Sequence, residues 1–165
     1  MAAFFRGFKY AAKGVAQALC EERNLRFHIC VAIYVVIFSF FYGLSAAQYA
    51  LLSAVIAGVL ALELLNSALE RAVDLACPGE SKLAGAAKNM AAGAVLVFAL
   101  GAVVCGVLLF WDLDVFQKII NYFAQNPWLL LPLAASLALC GWFVFGFGRR
   151  APRRVKEPTD EQHGE

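Results

Sequence analysis

Three stretches without a charged residue decide what this chain can become: Ile29–Leu62, Asn89–Trp111 and Ile119–Gly148. Each reaches or exceeds the roughly 20 residues that cross a hydrocarbon core. The first is too long for one pass, because at about 1.5 Å per residue it overshoots a bilayer of about 30 Å. Tyr42-Gly43-Leu44-Ser45 offers a turn in its middle, which divides it in two. The last run opens with Asn121, Gln125 and Asn126, so its spanning part starts at Pro127. The expected fold is all-α, a polytopic membrane helix bundle with spans at Phe27–Tyr42, Ala46–Leu75, Leu83–Trp111 and Pro127–Gly148. Composition agrees, since 165 residues that are 62% hydrophobic and 16% charged are too apolar for a soluble domain.

Ala2–Arg26 reads as an amphipathic helix on the membrane surface, with Phe4, Phe5, Phe8, Val15 and Leu19 as apolar bulk and Arg6, Lys9 and Lys13 as the polar side. Charges scattered through it leave no apolar core of a secretory signal. The 5 cysteines are dispersed without metal-ligand spacing and read as small apolar helix residues, so neither a disulfide nor a zinc site is expected. Lys and Arg concentrate in the N-terminal segment, around the Cys77 loop and in the tail, whereas only Lys118 lies opposite. The positive-inside rule then puts both termini in the cytoplasm and residues 112–126 outside, as an extracytoplasmic connection. Residues 1–111 form the principal membrane domain, 127–148 an additional span, and 149–165 a basic tail of disordered composition. A juxtamembrane basic cluster has that ordinary explanation, so no nucleic-acid partner is implied.

Chemistry concentrates in ELLNSALERAVD, Glu63–Asp74. Glu63, Asn66, Ser67, Glu70 and Asp74 fall on one stripe of a helix with 3.6 residues per turn. A carboxylate that directly follows a long apolar run is costly unless it faces a bundle interior or a wet cavity with a partner. Oxygen ligands of this kind suit Mg2+, which takes one or two carboxylates and lets phosphates and water fill the remaining positions. Lys88, Arg6, Lys9 and Lys13 supply positive charge for phosphate on the same side, and Glu22 brings a further carboxylate to that layer. The plainer readings are a solvated helix end for Asp74, surface charges for Glu21 and Glu22 beside Arg23 and Arg26, and an interfacial hydrogen-bonded residue for His28.

ELLNSALERAVD followed by AKNMAAGAVL resembles the signature of the small integral-membrane bacterial lipid kinases, the diacylglycerol and undecaprenol kinases, and ERNLRFH resembles the undecaprenol kinase branch. The resemblance covers about the first two-thirds of the chain. It implies transfer of the ATP γ-phosphate to a lipid alcohol, with undecaprenol favoured and diacylglycerol second. It further implies Glu63 as catalytic base, Glu22 and Glu70 as metal and nucleotide ligands, and Tyr10, Lys88 and Asn89 at the nucleotide. Asn66, Arg6 and Asp74 play supporting parts. A homotrimer with sites shared between subunits and a bacterial inner-membrane location follow from the same resemblance. Two features depart from it: Asn89 stands where the family ordinarily has Asp, and the span from Pro127 onward is additional. Asn89 leaves a non-catalytic relative as the alternative; a transporter fits poorly, because the stripe sits at one membrane face and no internal repeat is evident.

Overall fold

The computed structural model of the chain describes residues 2–79 and 81–148, with side chains from Phe5 onward, and the basic tail expected at 149–165 lies outside the described residues. Within them the chain is all helix: α1 (Ala2–Glu21), α2 (Arg23–Ser39), α3 (Ala46–Ala76), α4 (Lys82–Phe110), α5 (Leu113–Gln125), a 3-10 turn at Pro127–Leu129, and α6 (Leu130–Phe145). Among the described residues three helical segments are long and apolar enough to cross a membrane: Ala46–Ala76, Lys82–Phe110 and Pro127–Phe145.

The surface helix stops at Glu21, short of the expected Arg26, because Arg26 has another task. Glu22 is extended at φ −99° and ψ 111°, and α2 starts at Arg23. Arg26 is only 5% exposed. Its guanidinium donates to the carbonyls of Leu19 at 2.8 Å and Cys20 at 3.2 Å, in the last turn of α1, where helix carbonyls lack intrahelical partners and favour a cation. The arginine that sequence offered as a surface neighbour of Glu21 and Glu22 is therefore an internal cap.

The turn expected at Tyr42–Ser45 is present. Gly43 takes φ 57°, a left-handed conformation that a residue without Cβ adopts readily. Ser45 then starts α3 with a capping box, its hydroxyl accepting from the Gln48 amide at 3.3 Å while the Gln48 side chain accepts from the Ser45 amide at 2.8 Å. The 31 residues of α3 extend about 46 Å at 1.5 Å per residue. They overrun a hydrocarbon core of about 30 Å, so the Glu70–Ala76 end projects beyond it when the apolar part is immersed. The break at Cys77-Pro78-Gly79 reverses the chain, and Ser81 caps α4 by accepting from the Ala84 amide at 3.4 Å. α3 and α4 make the most extensive helix pair. They meet closely at Gly58, where an added Cβ would run into the ring of Phe98.

The connection at 112–126 contains a helix that the sequence reading did not assign. Asp112 caps α5 by accepting from the amides of Asp114 at 2.9 Å and Val115 at 3.2 Å. Aromatic contacts seat α5 across the ends of its neighbours, with ring centroids 5.5 Å apart for Phe41 and Tyr122 and 6.4 Å apart for Tyr42 and Phe116.

α6 returns antiparallel along α2. Arg26 donates to the Val144 carbonyl at 3.2 Å, Cys30 stands beside Cys140, and the Tyr34 and Ser136 hydroxyls lie 2.8 Å apart. Each advance of four residues on α2 meets a retreat of four on α6, so one ridge of each helix forms the seam. Arg23 sits over the Phe145 ring at 5.7 Å from its centroid. Gly148, at φ 85°, closes the end: a side chain there would strike the Cys20 carbonyl.

Candidate active site

Four polar couples descend α3 from membrane depth to its projecting end. Highest is Glu63, 5% exposed, whose Oε1 lies 3.2 Å from Nε2 of His28 on α2. One turn below, Asn66 donates through Nδ2 to Oε1 of Glu70 at 3.0 Å, and Ser67 is buried beside them on the stripe. Next, the Arg71 guanidinium joins Glu21 at 3.0 Å and Glu22 at 2.9 Å, tying α3 to the α1–α2 corner. Last, Asp74 pairs with Lys88 of α4.

The stripe that spacing placed on one helix face thus meets two different neighbours, Glu63 looking to α2 and Asp74 to α4, while Arg71, beside the stripe, reaches the α1–α2 corner. Glu22 is held by Arg71, the residue that follows Glu70. Among the described residues no three His, Cys, Asp or Glu side chains converge as a metal-holding group, and Arg6 and Tyr10 make no hydrogen bond or ion pair with the stripe. Tyr10 is 68% exposed on α1. Asn89 is exposed at the start of α4, next to Lys88. Sequence reasoning gave His28 only an interfacial hydrogen bond and did not pair it with Glu63. The available signal was its place at the start of a charge-free run, level with the most deeply placed carboxylate.

The donor set nevertheless suits a hard cation. Asn66 donates one amide hydrogen to Glu70, while its Oδ1 is buried with no hydrogen-bond partner among the described residues. A buried acceptor left unmet is uncommon and costs about 1–3 kcal/mol. A cation beside Oδ1 and the Glu70 carboxylate would relieve it, and these are oxygen ligands of the type Mg2+ takes.

Above the polar couples runs an apolar groove of about 370 Å³ between α2, α3 and α4. Phe27, Val31, Val59 and Leu60 form its wall near His28, and Leu52 and Phe110 lie towards its other end. From Leu60 to Leu52 the groove follows α3 for about 12 Å. Its lining is hydrocarbon apart from His28 and the Cys105 thiol, so a buried carboxylate and its imidazole partner stand where an apolar channel meets polar side chains.

Residues 9–110, from early α1 to the last residue of α4, match the prokaryotic diacylglycerol kinase family. The chain belongs to this family. Undecaprenol kinase of Bacillus subtilis (strain 168) is 41% identical over 107 residues, covering 65% of this chain and 87% of the relative. Diacylglycerol kinase of Synechocystis sp. is 43% identical over 101 residues, covering 60% and 57%, and that of Haemophilus influenzae is 31% identical over 104 residues, covering 62% and 88%. The family match includes all four polar couples and ends where α4 ends, so α5 and α6 are additions to the family part of this lipid kinase.

Proposed function

We propose that the protein transfers the γ-phosphate of ATP to the hydroxyl of undecaprenol at the inner face of a bacterial cell membrane, with Glu63 as the base. The observation that carries this reading is Glu63 itself, a buried carboxylate whose Oε1 lies 3.2 Å from Nε2 of a histidine that lines a hydrocarbon-walled groove. A lipid alcohol lying in that groove presents its hydroxyl to the carboxylate without leaving the bilayer. The acceptor choice rests on the wall chemistry. Diacylglycerol carries ester carbonyls close to its hydroxyl, and Phe27, Val31, Val59 and Leu60 have no side-chain donor for them; a buried carbonyl without a donor is penalised. A polyprenol brings only hydrocarbon behind its hydroxyl.

In the reaction, Glu63 accepts the hydroxyl proton as the lipid oxygen bonds to the γ-phosphorus, and the bond from that phosphorus to the β-phosphate oxygen breaks to release ADP. Phosphoryl transfer depends mostly on positioning and charge stabilisation. Glu70 and Asn66, with Glu22 at the α1–α2 corner, are the residues to hold Mg2+. The ion, when bound with the nucleotide, neutralises charge across the phosphate oxygens. Lys88 exchanges Asp74 for phosphate oxygens, and Asn89 and, from α1, Tyr10 and Arg6 complete the nucleotide side. In this reading α2 also spans the bilayer, giving four passes with both termini in the cytoplasm. Its 17 residues reach about 26 Å, and its flank is covered by α6. The family resemblance adds a homotrimer.

The test is the initial rate of label transfer from γ-labelled ATP, with Mg2+, to undecaprenol and to diacylglycerol in mixed micelles at equal mole fraction. Faster labelling of undecaprenol is expected. Faster labelling of diacylglycerol would reverse the acceptor assignment and leave the kinase chemistry standing.

A further inference from the structure

Glu63 is the base in the reading above, and the inference drawn here rests on that reading. We infer that His28 is a positioning residue for the reaction, holding one carboxylate oxygen of Glu63 through its Nε2–H so that the other is left to take the lipid hydroxyl proton.

Three observations carry it. Nε2 of His28 lies 3.2 Å from Oε1 of Glu63, and among the described residues no other hydrogen bond or ion pair reaches that carboxylate. Glu63 is 6% exposed at its side chain, so water does not substitute for the imidazole, whereas His28 is 23% exposed and keeps an edge towards the outside. His28 also lines the apolar groove, as Phe27 and Leu60 do, and the rings of Phe27 and His28 pack edge to face with centroids 5.7 Å apart. The histidine therefore stands beside both the lipid path and the base.

The chemistry follows from the inventory of donors and acceptors. An ionised carboxylate only accepts hydrogen bonds, and an imidazole with its proton on Nε2 donates one. Such a bond, formed across the 3.2 Å contact, sets the rotation of the Glu63 carboxylate, and among the described residues no donor competes for Oε2. Without His28 no side chain among the described residues sets that rotation. The contribution of His28 is thus to orientation, and it appears in kcat instead of in nucleotide binding.

The test uses the full-length protein in mixed micelles with undecaprenol, Mg2+ and labelled ATP, comparing wild type with His28→Gln, His28→Asn and His28→Leu. Gln reaches about as far as Nε2 and offers an N–H; Asn is one methylene shorter. The expected kcat is within about 5-fold of wild type for Gln and roughly 10- to 100-fold lower for Asn and Leu, the range for residues that orient a reacting group, with KM for ATP unchanged in all. In a Glu63→Gln background the same His28 changes are expected to have no further effect on residual turnover. Gln and Asn variants of equal kcat overturn the inference, and so does a loss expressed in the ATP KM. The Gln and Asn comparison decides the matter even where the Leu variant does not fold. Wild type inactive towards undecaprenol and diacylglycerol refutes the kinase reading; active wild type with indifferent His28 variants refutes only the role of His28.

Discussion

Replacing Arg26 with methionine tests how the additional helix is joined to the family part of the chain. The guanidinium makes three hydrogen bonds: to Leu19 and Cys20 at the end of α1, and to Val144 near the end of α6. Bonds from a charged donor contribute about 1.5–3 kcal/mol each, so the three together stabilise by roughly 5–9 kcal/mol. Against this, Arg26→Met removes a buried charge whose Nε has no partner among the described residues, returning several kcal/mol of desolvation. Methionine refills much of the volume. The net loss expected is about 3 kcal/mol, because three carbonyls lose a charged donor while the desolvation of the guanidinium is recovered. It is measured as the shift in the unfolding midpoint in mixed micelles with increasing SDS. Mild oxidation provides a local readout, since Cys30 and Cys140 face each other across the α2–α6 seam and cross-link only while α6 is docked. Arg23→Met is the control: Arg23 is exposed and contributes one cation–π contact, worth about 0.5–1 kcal/mol. An Arg26→Met variant as stable as wild type, with undiminished cross-linking, would refute the assignment of Arg26 as the joint between α1, α2 and α6.

Other perturbations address the site and the helix hairpin. Asn66→Ala removes both the donor to Glu70 and the unmet Oδ1, and is expected to raise the Mg2+ concentration for half-maximal rate about 10- to 100-fold; an unchanged Mg2+ titration would exclude Asn66 from the cation site. Asn89→Asp restores the negative charge beside Lys88 and is expected to increase the transfer rate; an equal or lower rate counts against that view of the position. Gly58→Val forces the Phe98 ring out of its place between α3 and α4, with an expected cost of about 1–3 kcal/mol from overpacking, read in the same SDS titration.

Much of the fold was legible because apolar run length and chain breakers act locally. Gly43 and Ser45 mark the α2–α3 turn, Pro78 and Ser81 the α3–α4 turn, and each lies where the helices end and begin. α5 escaped notice because the charge-free run begins at Ile119, midway along a helix that starts at Leu113; a criterion based on uninterrupted apolarity cannot register a short amphipathic helix crossing that boundary. In the site, the stripe on α3 was readable from helical period alone. Which residue of another helix meets each carboxylate was not, because pairing depends on the rotation and depth at which α2 and α4 pack against α3. His28 with Glu63 and Arg71 with Glu22 are such pairings. Arg26 illustrates the same limit, since its Val144 partner lies on a helix far along the chain.

The decisive measurement is turnover by Glu63→Gln. Glutamine keeps an oxygen to face His28 and nearly the same volume, so the folded protein and its ATP affinity should persist while the proton acceptor is gone. General base catalysis contributes about 100- to 10,000-fold, and label transfer to lipid should fall by at least about 100-fold, or about 2.7 kcal/mol in the barrier. A folded Glu63→Gln protein that phosphorylates undecaprenol at the wild-type rate would contradict the account.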